Sequence, residues 1–492
     1  MAPSGTDDER TVDPAARVAE LEATVAAQAK ELEASRARIA ELEALVAKLV
    51  AEVERLTEKL NQNSKNSHLP PSSDGPGAAS SGRGKKARGK RKRGGQKGHR
   101  GAHRVLLPPE RVDEFIELYP EVCLGCGEAL PETPDSDPRR YQMVDLAPFG
   151  PRVTEFRRNE VECHCGHRTR AAYDPEKIPA SPFGPRLCAV VVLLTGVYHL
   201  SRQRTKKLLH ELFGIEMSVG AVSAIEARAS TAVVSAVEEV EREVERAGVK
   251  YTDGTTWLEA GVTLSLWTLA CAAVTLYKIL KDGRSKTIRP LFGALRGILV
   301  SDRATVFGFW LMAFRQICWS HLARRFISFS ERDGPAGALG RELVDYTELM
   351  FEYWHGFKNG QLTREELKAW MRPLQRQFEE VLERASTAGI PRMSGSCADI
   401  LAHKEALWTF VTNEGVGPTN NEAERELRAF VLWRKRSFGA QSERGHRFAE
   451  RIMTVAHTAR KQGKNVLDFL VGCMTAHRDG TTPPRLIAPT AA

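Results

Sequence analysis

The sequence predicts a multidomain α+β protein: an N-terminal coiled coil, a cysteine-bearing module, a helical region, and an α/β domain interrupted by a helical insertion. Three observations predict it. Residues 18–60 repeat apolar side chains every three and four positions, Cys123–Cys126 and Cys163–Cys165 form two close pairs, and short apolar runs after Gly248 end in acids and alternate with helical segments. A length of 492 residues allows about three domains. With 42% hydrophobic and 27% charged residues, the chain can bury a sizeable core.

The first element, residues 15–61, reads as a leucine-zipper-like coiled coil. Of the thirteen seam positions from Val18 to Leu60, eleven are Val, Leu or Ile, with Gln28 and Ser35 the exceptions. Flanking Glu, Lys and Arg suit a seam that pairs helices, so a homodimer or higher oligomer is expected. The same stripe would also suit one helix folded onto the body. The acidic, polar start "MAPSGTDDERTVD" is not a secretory signal. The apolar stretches 187–200 and 260–277 are too short or too β-branched for a membrane span, so no membrane partner is expected.

Residues 62–104 are a linker and a basic box. "NQNSKNSHLPPSSDGPGAASSG" has little to bury. Between Arg83 and Arg104 stand eleven Lys or Arg and no acid, among them Lys90, Arg91, Lys92, Arg93, Lys97 and Arg100. A net charge of +9 is weak evidence for a polyanionic partner, but this concentration points to phosphates and hence to DNA. Residues 105–180 hold "CLGCG" and "CHCGH". Cys123, Cys126, Cys163 and Cys165 suit a structural, four-thiolate zinc site, in which His164 or His167 can replace a thiolate. Unrelated thiols are the other reading. Cys188, Cys271, Cys318, Cys397 and Cys473 sit in apolar contexts and are expected in the core. Nine cysteines without a signal peptide suggest a reducing, bacterial cytoplasm.

Residues 181–247 are helical. "SRQRTKKLLHELFGIEMSVGAVSAIEARA" predicts a helix, a turn at Phe213-Gly214-Ile215, and a second helix capped by Ser218. This is a helix-turn-helix outline with Arg202, Arg204, Lys206 and Lys207 toward phosphates; a plain helical hairpin has the same pattern.

Residues 248–475 make the last domain, with a helical insertion at about 335–415, and 476–492 form a tail. "VKYTD" predicts a short strand ending in Asp253, "LSLWTLACAAVTLYKI" two buried strands, and "GILVSD" a strand ending in Asp302. Acids at strand exits suggest a polar site at one end of an α/β sheet. In "PTNNEAERELR", Thr419 and Glu422 read as a capping box, and Ala423, Leu427, Phe430 and Val431 as the apolar stripe. Glu426 reads as solvated. Glu424 is either an ion-pair partner of Arg428 or a third carboxylate beside Asp253 and Asp302.

The chain resembles the IS66-family transposases along nearly its whole length. The resemblance rests on the zipper, "NSKNSHLPPSSD", "GGQKGHRGAHR", the cysteine segment, "CWSHLARRF", "TNNEAERELR" and "WRKRSFGAQSERG", in that order. It implies a DDE catalytic domain of RNase H-like fold, with the triad on Asp253, Asp302 and Glu424. Two Mg²⁺ or Mn²⁺ ions held by these acids would support strand cleavage and strand transfer. Asp253 would bridge both ions, with Asp302 and Glu424 holding one each, and Arg425 and Arg428 would lie against DNA phosphates. The implied partners are terminal inverted repeats, target DNA and small accessory proteins encoded by the element, at the nucleoid. This chain departs from the family pattern at Asp253-Gly254-Thr255, usually Asp-Glu-Thr, and at Asp302-Arg303-Ala304, often Asp-Gly-Tyr. The alternatives are a catalytically inactive DNA-binding scaffold, or an RNase H-like nuclease without strand transfer.

Overall fold

The computed structural model describes residues 14–63, 66–67, 106–145, 150–174, 178–294 and 296–488. The basic box, including Lys90, Arg91, Lys92, Arg93, Lys97 and Arg100, lies outside the described residues. In chain order, α1 (Pro14–Asn61) is followed by the short strands β1 (Glu160–Glu162) and β2 (Arg168–Arg170). Helices α2 (Pro185–Val192), α3 (Arg202–Phe213), α4 (Val219–Ala232) and α5 (Val234–Arg246) come next. Strands β3 (Val249–Glu259), β4 (Val262–Ala270) and β5 (Thr275–Leu280) precede α6 (Ser285–Ile288), β6 (Ile298–Ser301) and β7 (Arg315–Ile317). Helices α7 (Trp319–Ser330), α8 (Gly334–Lys358), α9 (Arg364–Thr387) and α10 (Ser394–Ala402) follow. Last come α11 (Thr409–Thr412), α12 (Asn421–Ser437), α13 (Glu443–Lys461) and α14 (Val466–Asp479). No helix among the described residues is long and apolar enough to cross a membrane.

The elements fall into two compact units. One contains α1 and the helices α7 to α10. Helix α1 is a single helix whose seam residues Val18, Leu21, Val25, Leu32, Ile39 and Leu42 remain 47–63% exposed. Of the linker and basic box expected over 62–104, residues 62, 63, 66 and 67 are described. Buried Asn66 donates from Nδ2 to Glu331 Oε2 at 2.8 Å, while Asn63 N donates to Asn66 Oδ1. An amide that bonds a nearby backbone N–H and a distant carboxylate is fixed, whatever the surrounding composition. The helical segment also starts earlier than residue 335, because β7 ends at Ile317 and α7 follows directly. Its core packs Trp319 and Phe326 on Phe378 of α9, at 5.1 and 5.7 Å between ring centroids.

The other unit is built on a five-stranded sheet of order β5-β4-β3-β6-β7. The β5-β4-β3 half is an antiparallel meander and the β3-β6-β7 half is parallel. Strand β5 is an edge, which would expose unpaired amides. Helix α13 covers it. The amides of Thr275, Tyr277 and Ile279 donate to the side chains of Thr458, Thr454 and Glu450. Two residues of strand and four of helix both advance about 6–7 Å, so every second amide meets a side chain one turn further along. Burial raises the Glu450 carboxyl above its ordinary value.

Helices α3 and α4 form the expected hairpin, with Ser201 and Ser218 accepting from the backbone N–H groups of Arg204 and Ala221 and Gly214 left-handed at φ +64. The five cysteines expected in the core are all buried. The described chain after α14, residues 480–488, is held on this unit: Leu486 is fully buried and its N–H donates to Glu239 at 2.9 Å.

Candidate functional site

Strand β3 does not stop at Asp253, as the sequence suggested; it runs on to Glu259 because β4 pairs with it from Tyr251 to Glu259. What does end near Asp253 is the parallel pairing with β6, whose last partners are Tyr251 and Val300. Carrying that register two residues further brings Asp253 level with Asp302. Both acids line one open cleft of about 330 Å³, together with Thr255, Thr256 and Ser265. Asp253 Oδ1 accepts from Gly254 N at 2.9 Å, and Asp302 Oδ1 from Ala304 N at 3.0 Å. Carboxylates and hydroxyls are hard oxygen donors, the set that suits Mg²⁺ or Mn²⁺ rather than a soft metal.

Three surrounding residues shape this cleft. A Cβ on Gly254 would come within 2.9 Å of the Trp267 ring, its cross-strand partner on β4. Trp267 is itself held edge-on by Phe307. Glycine at 254 is therefore tied to tryptophan at 267, a physical reason for the departure from Asp-Glu-Thr. Arg315 on β7 is buried and donates from Nη2 to the Asp302 carbonyl at 3.2 Å, beneath the ring of Phe307. Burial pulls its guanidinium below the ordinary value, against the opposing effect of Asp302. Arg434 on α12 reaches Thr255 Oγ1 at 3.2 Å and Thr256 Oγ1 at 2.6 Å, which sets a cation at the rim. Arg315 was missed in the sequence; a charged residue in the apolar run "RQIC" was the available signal.

Helix α12 carries Glu424, and its start is not capped as the sequence suggested. The capping box is absent: the cap is Asn420 (φ −89, ψ 19), with no side-chain cap bond. Asn420 is fully buried; its Nδ2 donates to the Thr252 carbonyl at 2.7 Å and its N–H to Cys318 Sγ at 3.1 Å. The start of α12 is thereby fixed to the residue before Asp253. Glu422, released from capping, accepts from Lys461 Nζ at 2.8 Å and pairs with Arg425. Glu426 is not solvated: it pairs with His457 on α13 and lies 3.9 Å from Lys461. Burial alone would raise its pKa, but the His457 bond and the charges of His457, Lys461 and Arg425 outweigh it and hold the carboxyl below its ordinary value. Glu424 lies one turn after Asn420, half-buried, and is not in the wall of the 330 Å³ cleft. Of the expected stripe, Ala423, Leu427 and Phe430 are buried and Val431 is half-buried against the same core. Arg428 is exposed, as is Arg425.

The cysteine pairs each form their own turn. Gly127 N bonds Cys123 O and Gly166 N bonds Cys163 O, both at 2.8 Å. Backbone amides of Gly125 and Cys126, then the Cys126 thiol, hold the Cys123 thiol below its ordinary value; the amide and thiol of Cys165 do the same for Cys163. The sulfurs of Cys123, Cys126, Cys163 and Cys165 are not gathered within 4.8 Å of one another in this arrangement.

A family of unknown function matches residues 15–105. An uncharacterized protein y4hP of Sinorhizobium fredii is 24% identical over 387 residues, covering 69% of this chain and 68% of its own length. A second from the same organism, y4qI, is 26% identical over 172 residues, so this chain spans only 31% of that relative. The model of the IS66 transposase family matches residues 180–448, which include the sheet, both cleft aspartates and α12. The chain belongs to the IS66 family of transposases.

Proposed function

We propose that this chain is a DDE-type transposase that binds the terminal inverted repeats of its element and performs metal-dependent strand cleavage and strand transfer, with Asp253, Asp302 and Glu424 as its acids. The observation that carries the proposal is the meeting of Asp253 and Asp302, from neighbouring parallel strands, in one cleft of oxygen donors. Counted within the domain, the sheet order is 3-2-1-4-5 with the last two strands parallel to the first, which supports the RNase H-like reading.

Asp253, Asp302 and Glu424 would hold Mg²⁺ or Mn²⁺. When bound, such ions activate the attacking oxygen and stabilise the leaving one. The protein's own part is placement. Arg315 holds the Asp302 carbonyl, Asn420 holds α12 against Thr252, and Arg434 offers a positive charge to a phosphate at the rim. Glu422 and Glu426 are committed to α13, which supports Glu424 as the third acid. Arg425, Arg428 and the basic box add phosphate contacts that position DNA without reading bases. Cys123, Cys126, Cys163 and Cys165 would hold one structural Zn²⁺, and the exposed seam of α1 would pair with a second copy. The site of action is the bacterial cytoplasm at the nucleoid.

The test uses purified full chain and DNA carrying the element's own ends in Mg²⁺ or Mn²⁺. Nicked and joined products are expected, and Asp253→Asn, Asp302→Asn and Glu424→Gln each abolish them while DNA binding persists. Loss of activity on Glu422→Gln with Glu424→Gln still active would overturn the choice of third acid. Nicks without joined products would leave a nuclease.

A further inference from the structure

A second and larger cavity, of about 1110 Å³, lies beside the cleft in the same unit. It opens between the start of α3, the end of α12 and the start of α13, and its lining includes Tyr198, Arg202, Arg204, Trp433, Arg436 and Arg444. The one acid in the wall is Glu226, which Arg202 already neutralises at 2.6 Å. Arg444 is held by Ser223 through its Oγ and carbonyl, whereas Arg204 and Arg436 are exposed. The N-termini of α3 and α13 both reach this wall through Ser201 and Ser442, so their partial positive charge adds to the arginines. The cavity therefore has the electrostatics of a phosphate site.

Its other wall is aromatic. His199 stacks on Trp433 at 4.6 Å and 14°, and Trp433 meets the edge of Trp257 at 6.2 Å. Burial, then the nearby charges of Arg436, His457 and Arg460, pull the His199 imidazole down to about 4, so at neutral pH it is an uncharged ring. Tyr198 directly follows a π-helical turn, Leu193–Val197, with His199 next at φ +56, and Tyr198 is 53% exposed in the cavity wall. Flat aromatic surface next to phosphate-binding cations is how proteins hold unpaired nucleotides.

Position ties the cavity to the chemistry. Asp253, Thr255 and Trp257 alternate onto one face of β3. Four residues of strand span about 13 Å, which a DNA strand covers in about four nucleotides. Arg434, which follows Trp433 of this wall, touches Thr255 of the cleft.

We propose that this cavity binds an unpaired nucleotide of the DNA strand engaged by the carboxylate cleft, its base against the Tyr198 and Trp433 wall and its phosphate on Arg204 and Arg436. The proposal rests on the transposase reading in taking DNA as the ligand. Holding a base out of the duplex here would keep the neighbouring phosphodiester open to the acids.

The test compares full-length protein on a blunt duplex and on the same duplex with a short single-stranded overhang carrying 2-aminopurine. Tighter binding of the overhang and quenching of the 2-aminopurine are expected. Tyr198→Ala removes the quenching and Tyr198→Phe restores it, and Arg204→Gln with Arg436→Gln weakens overhang binding about tenfold with little effect on the blunt duplex. These side chains are exposed, so the fold is spared, as matching thermal melts will verify. Undiminished quenching in Tyr198→Ala, or equal losses on both probes, overturns the proposal. The two readings separate cleanly: overhang selectivity without nicking sinks the catalytic reading alone, and nicking without overhang selectivity sinks this one alone.

Discussion

Asn420→Ala removes the side-chain amide that fastens the start of α12 to the strand carrying Asp253. The deleted bond is 2.7 Å long and fully buried, and its loss leaves the Thr252 carbonyl short of a donor. An unsatisfied buried acceptor costs about 1–3 kcal/mol. Removing roughly 25 Å³ of side chain adds about 0.6 kcal/mol at about 24 cal/mol per Å³ of unfilled cavity. A destabilisation of about 2–3 kcal/mol is therefore expected, read as a lower urea midpoint with unchanged slope. Asn420→Asp keeps the shape but points an acceptor at an acceptor, so it should cost more than alanine. Strand nicking, measured at a temperature where both variants are fully folded, should fall at least tenfold, because Glu424 rides on the same first turns. Wild-type stability and nicking in Asn420→Ala, or a milder effect of Asp than of Ala, would refute the tether.

Other changes have equally definite outcomes. Gly254→Glu, which restores the family residue, should cost about 2 kcal/mol by driving a side chain into Trp267, and much less in a Trp267→Ala background; additive costs in urea titrations would show that the ring is not the obstacle. Gly439→Ala places a Cβ 2.1 Å from the Leu258 carbonyl at a residue with φ +91, and should lower stability by about 2–3 kcal/mol in thermal melts. His199 titrates at about 4 in the fold and near 6.5 when unfolded, so the folded chain binds fewer protons between these values and stability falls as pH drops through that window. After discounting for its partial exposure, the loss is about 2 kcal/mol, and melts at pH 7 and pH 4.5 should differ by less in His199→Gln. The Glu426 carboxyl, held below its ordinary value, loses its own contribution only at still lower pH.

Local pattern made much of this molecule legible. The heptad stripe announced α1, Ser218 announced α4, the β-branched run announced β4 and β5, and the apolar spacing announced the buried face of α12. Each of these signals acts within one or two turns of helix or one strand. What stayed hidden depends on partners far along the chain. Thr419 and Glu422 have the spacing of a capping box, yet the cap is decided by Asn420, whose amide is taken by Thr252, 168 residues away. Arg315 looks misplaced in an apolar strand until the Asp302 carbonyl is seen beside it.

The three glutamates of α12 sharpen the point, since propensity cannot rank them. Helix α13 supplies Lys461 for Glu422 and His457 for Glu426, and those pairings give each a structural role. The same helix satisfies the edge of β5 through Thr454, Thr458 and Glu450. One helix therefore both closes the sheet and fixes how α12 lies on it. With Glu424 as the proposed third acid, nicking should thus depend on the residues of α13 that hold its neighbours. Lys461→Met, which removes the cation from Glu422 while keeping the stem packed, should loosen the start of α12 and lower nicking several-fold without changing affinity for DNA. A parallel fall in affinity would mean that Lys461 serves the nucleic acid directly, and unchanged nicking would mean that α12 holds its place without α13.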